Sequence, residues 1–88
     1  MDGKFLTGRV AVITGGNRGI GRATALALGG AGAKVAITGR NRDKLAESLG
    51  LLEQAGIEAA AFTCDVREES QVRQLAEDVV ARFGAVHI

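Results

Sequence analysis

Tyrosine, tryptophan and proline are missing from this sequence altogether, and cysteine and histidine occur once each. With three Phe as the only aromatics, single-stranded nucleic acid would find no stacking platform. The lone Cys64 cannot close an internal disulfide, which points to a reducing compartment. No stretch approaches the ~18 continuous apolar residues of a membrane span. The first residues carry an acid and a base among scattered apolar side chains, without a signal-peptide core. A cytoplasmic location follows as the expectation. Net charge is +1, with both signs interspersed, so no electrostatic footprint for nucleic acid or an anionic membrane is present. No cluster of His, Cys, Asp and Glu has metal-ligand spacing.

What is present is apolar and glycine-rich. Hydrophobic residues make up 47% of 88, ample for a core, although a chain this short buries proportionally little surface. It is one small domain, or a piece of a larger one. The 13 glycines gather at turns without a fixed period, which excludes a collagen-like chain.

Apolar runs alternate with helical periodicity. Arg9 to Thr14 reads as a strand, apolar through its middle as when both faces are covered. A helix follows from Ile20 to about Gly30, with Ile20, Ala23, Thr24, Ala27 and Leu28 as its small-residue face and Gly29, Gly30 and Gly32 ending it. Lys34 to Thr38 is a second strand. Asn41 then caps a helix running to about Ala55, with Leu45, Leu49 and Leu52 aligned and Gly56 as its stop. Ile57 to Thr63 is a third strand. Glu68 and Glu69 fall in the first turn of a third helix, where negative charge suits the macrodipole. Val72, Leu75, Val79 and Phe83 stripe that helix, Gly84 ends it, and Val86 to Ile88 begin a fourth strand.

This order predicts an α/β fold with a parallel sheet. Right-handed crossovers place the first two helices on one face. A fourth strand returning beside the first gives the order 3-2-1-4, with the third helix on the opposite face. Ligands bind such sheets beyond the strand C-termini, where the order reverses. Gly15 to Gly21, Arg40 and Asp65 share that rim.

The turn Thr14-Gly15-Gly16-Asn17-Arg18-Gly19-Ile20-Gly21 joins the first strand to the first helix, the local geometry of a phosphate site. A Walker A loop fails, because Arg22 and Ala23 stand where Lys and Ser or Thr are required. A G-x-G-x-x-G fingerprint fails at Thr24. What remains is T-G-x3-G-x-G. Together with Gly39-Arg40-Asn41, Cys64-Asp65-Val66 and Phe83-Gly84 in register, it resembles the short-chain dehydrogenase/reductase family, and most closely its bacterial 3-oxoacyl-carrier-protein reductase group. The resemblance covers nearly the whole chain. It implies that residues 1–88 are the N-terminal, dinucleotide-binding segment of a Rossmann fold, cut inside strand four.

Gly15 permits a turn that a Cβ would strain, and Gly19 and Gly21 allow close approach to phosphate and sheet. Amides around Ile20 point at the anion. Asn17 bonds either the turn or a cofactor phosphate. Arg40 stands where an acid would hold an unphosphorylated ribose; a guanidinium pairs instead with a 2′-phosphate. With Gly39 before it, Asn41 after it and Arg18 in the glycine turn, NADP(H) is favoured over NAD(H). In the resembled family the Asp65 carboxylate accepts from the adenine amino group and Val66 offers its amide. A turn aspartate is the other reading of Asp65. Cys64 reads as a buried filler and His87 as an ordinary strand residue.

The family's Y-x3-K motif and upstream Ser have no counterpart here: there is no Tyr, and Ser48 and Ser70 lie on helices. The resemblance thus implies a cofactor-binding segment of a carbonyl- or alcohol-directed oxidoreductase, whose partner is the remaining C-terminal chain or a second copy meeting the apolar edge at Val10 to Ile13. A stand-alone nucleotide-binding or self-associating module is the alternative. A methyltransferase is the third possibility, but Gly39-Arg40 lacks the acid it needs after strand two.

Overall fold

The computed structural model describes residues 4–15 and 19–88. Along the chain run β1 (Val10–Thr14), α1 (Gly19–Gly30), β2 (Lys34–Gly39), α2 (Arg42–Gln54), β3 (Ala59–Thr63) and α3 (Glu69–Phe83). β2 lies between β1 and β3, parallel to both. Residue parity then sorts the side chains. Ala11, Ile13, Val35 and Ile37 pack with Ala25 of α1 and Leu45 and Leu52 of α2. Val10 and Ala36 pack on the other face with Leu75 and Val79 of α3. Helices therefore cover both faces, as the alternation of elements predicts.

The outer edge of β1 meets the last residues. Ile88 N donates to Val10 O at 3.1 Å and Val12 N to Ile88 O at 2.8 Å, the reciprocal pattern of a parallel pair. Val10 N donates to His87 Nδ1 at 2.9 Å. This is the start of the 3-2-1-4 order, although residues 85–88 form no regular strand. The β1 edge is accordingly less open than expected, and His87 both donates its backbone N–H to Val10 O at 2.9 Å and accepts from Val10 N through its ring.

The face assigned to α1 is corrected. Ile20 is 87% exposed, whereas Ala25 and Gly29 are buried and Leu28 packs against the core. The inner face starts one position later than Ile20, with Gly21 half-buried and Ala25 and Gly29 buried. Gly29 is a packing residue within the helix, not its terminator. Two further boundaries differ. Ile57 precedes β3 but plugs the α1–α2 core, which explains its strand-like apolarity. Glu68 is the residue before α3, with no side-chain cap bond, and Glu69 alone occupies the acidic first-turn position.

Candidate functional site

The three strands end on one rim, and backbone bonds extend their ladder past the strand ends. Gly15 N donates to Thr38 O at 2.9 Å, and Cys64 N donates to Gly39 O at 2.9 Å. A cleft of about 610 Å³ opens above this rim, lined among others by Gly15, Thr38, Arg40, Asn41, Lys44 and Asp65. That volume suits a small-molecule ligand. Gly15 turns at φ 70° and Gly19 at φ 58°, a region where a Cβ is strained. Gly15 follows the end of β1 and Gly19 opens α1.

The expected site residues divide into three groups. Gly15, Arg40, Asn41, Asp65 and Val66 line the cleft. Gly19, Ile20 and Gly21 form the first turn of α1 and lie outside the cleft lining. Asn17 and Arg18 lie outside the described residues. Asn41 does cap α2, its Oδ1 accepting from Lys44 N at 3.0 Å, so it serves the helix as well as the cleft.

Asp65 is gripped by a near neighbour. Its Oδ1 accepts from Arg67 N at 3.0 Å and from Arg67 Nε at 3.0 Å, and its Oδ2 accepts from Arg67 Nη2 at 2.9 Å. The turn-aspartate reading is thus realised in the geometry. The Arg67 hydrogen bonds, helped by the charges of Arg67 and Arg40, hold the Asp65 carboxyl down to about 2. Asp65 N in turn donates to Gln71 Oε1 at 2.8 Å, tying the loop to α3.

Sequence reasoning missed Lys44, Arg67 and Thr38, which also line the cleft. Lys44 had a readable signal: a cation in the first turn of a helix opposes the macrodipole and calls for another reason to be there. Thr38 had one too, as a hydroxyl closing an apolar strand. It is 1% exposed, and its Oγ1 has no hydrogen-bond partner among the described residues. Cys64 is buried and unpaired, as expected of a filler.

The arrangement suits a dinucleotide. Glycine turns lead to a helix N-terminus, cations Arg40, Lys44 and Arg67 line the cleft, and an orphaned hydroxyl lies at its floor. Among the described residues there is no group of three or more His, Cys, Asp or Glu able to hold a metal. No described helix is long and apolar enough to cross a membrane.

The family model for short chain dehydrogenase matches residues 9–88. The short chain dehydrogenase/reductase dmxR18 of Cryptosporiopsis sp. is 43% identical over 84 residues, which cover 94% of this chain and 32% of that protein. Among solved structures, the actinorhodin polyketide ketoreductase with NADPH superposes with TM-score 0.87 at 40% identity, over 89% of this chain and 30% of its own. A short chain dehydrogenase/reductase from Burkholderia phymatum in complex with NAD gives TM-score 0.90 at 36% identity, over 93% and 29%. The chain therefore spans about a third of the length of the relatives it matches.

Proposed function

The chain belongs to the short chain dehydrogenase family, and on that premise we propose that it is the NADP(H)-binding segment of a cytoplasmic oxidoreductase. In the whole enzyme a bound nicotinamide would exchange hydride with a carbonyl or alcohol. Proton-handling Ser, Tyr and Lys of the family pattern have no counterpart in residues 1–88. Substrate choice belongs to the remaining chain.

One observation carries the preference for the phosphorylated cofactor. β2 ends in Gly39, and the cleft beside it is lined by Arg40 and Lys44, with no carboxylate at that turn. A 2′-phosphate is a charge match for that wall, whereas two ribose hydroxyls would lack a carboxylate acceptor at that turn. Gly15 and the first turn of α1, Gly19 to Gly21, would receive the diphosphate. At the adenine end, Asp65 has about four lone-pair sites, of which Arg67 takes three. One Oδ2 site is left for an adenine amino hydrogen, next to the Val66 amide.

Titration with NADPH and NADH tests this reading. NADPH should bind more tightly, and Arg40→Ala should cost about tenfold or more for NADPH with little change for NADH. Equal affinities, or no loss in the variant, would overturn the assignment. A self-associating module is the second reading. It is favoured by Val80, Val86 and Ile88, which are all exposed, with Ile88 on the outer edge of β1.

A further inference from the structure

We propose that Arg22 and Ser48 form a positioning pair that sets the diphosphate turn relative to the 2′-phosphate wall; this rests on the cofactor reading above. Arg22 Nε donates to Ser48 Oγ at 2.9 Å, and Arg22 Nη2 lies 3.6 Å from Glu47 Oε1. Ser48 is fully buried between Leu45 and Leu52 on the inner face of α2. Packing alone would be served at that position by alanine. The hydroxyl adds an acceptor that alanine lacks, and Arg22 is its donor.

The position of the contact gives it a role. Arg22 sits in the first turns of α1, immediately behind Gly19 to Gly21. α2 begins at the Arg40–Lys44 wall. The farther end of α1 is fixed by Gly29 lying against Ile57. Seven residues separate Gly29 from Arg22, about 10 Å of helix. Ala25, buried in the core, holds the middle of α1, and the Arg22 bond carries that hold forward to the turn that bears Gly19 to Gly21. Removing the Arg22 bond therefore misaligns the two halves of a ligand that must touch both α1 and the α2 wall. A ligand touching only the wall is spared.

The test compares NADP+ with 2′-AMP, which carries adenosine and the 2′-phosphate but no diphosphate, on the unaltered chain, Ser48→Ala and Arg22→Gln. Each variant should weaken NADP+ by about tenfold and leave 2′-AMP within about twofold. The double variant should be no worse than Arg22→Gln alone, since Arg22→Gln already lacks the guanidinium that donates to Ser48. Ser48→Ala conserves volume in the core, and thermal unfolding confirms that it is folded. Equal losses for both ligands, or no loss of NADP+, would overturn the pair's role alone. Failure of the unaltered chain to bind NADP+ would overturn the cofactor reading and this inference with it.

Discussion

Ile57 fills the space that a side chain on Gly29 would need. A Cβ at Gly29 would lie 2.5 Å from Ile57 Cγ2, 2.7 Å from Cδ1 and 2.9 Å from Cγ1. Three atoms of a buried β-branched side chain cannot all withdraw by one rotamer change. Gly29→Ala gains about 1 kcal/mol of helix propensity but adds an overpacking cost of about 1–3 kcal/mol. Net destabilisation of up to about 2 kcal/mol is expected in urea melts. In an Ile57→Ala background the sign should reverse, because the obstructing atoms are gone. Gly30, with nothing within 4 Å of a built Cβ, is the control, and Gly30→Ala should be neutral or stabilising.

Acid should act on the cleft through Asp65. Its carboxyl is held to about 2 in the fold, chiefly by the Arg67 hydrogen bonds, below the ~3.9 of an unfolded aspartate. Between these values the unfolded state binds the proton first, so the contribution present above pH ~4 is lost as pH falls toward 2. NMR titration of the Asp65 carboxyl carbon should show this midpoint. Arg67→Ala should raise it while leaving it below the ordinary value, because the residue 67 amide and the Arg40 charge persist. An unmoved midpoint would contradict the assignment.

The orphaned hydroxyl of Thr38 predicts an uncommon result for a core substitution. Thr38→Val keeps the shape and removes a buried polar group that has no partner among the described residues. Stability should rise by about 1 kcal/mol, read as a higher urea midpoint at unchanged slope. If the hydroxyl serves the cofactor, NADP+ affinity falls in the same variant, and the two changes have opposite signs.

Self-association is testable by sedimentation velocity across a concentration series. Under the second reading, the weight-average mass rises with concentration, and Val80→Glu suppresses the rise. A mass independent of concentration would remove that reading.

Much of the fold was legible because its determinants are local. Strand runs such as Val10–Ile13 and the Leu45, Leu49 and Leu52 spacing mark covered faces directly, and of the α3 stripe Leu75 and Val79 are buried as read, Phe83 partly so, while Val72 is exposed. The inner face of α1 was not legible for a physical reason. Nearly every residue there is small, so periodicity has little contrast, and Ile20 was a misleading anchor. In the cleft, the landmarks Gly15, Arg40 and Asp65 come together as their positions at strand ends require. Arg67 was hidden because its partner is two residues away, a contact set by turn geometry that no periodicity records. The Arg22–Ser48 bond was hidden because it joins two helices whose relative rotation only packing determines.

The rim bonds from Gly15 to Thr38 and from Cys64 to Gly39 give the cleft a main-chain floor, while Arg40 and Lys44 on its wall act through side chains. Floor and wall can consequently change independently. Mutations on the wall can retune which dinucleotide is preferred at little thermodynamic risk, whereas any drift in the floor would have to unzip the ladder that keeps the domain folded.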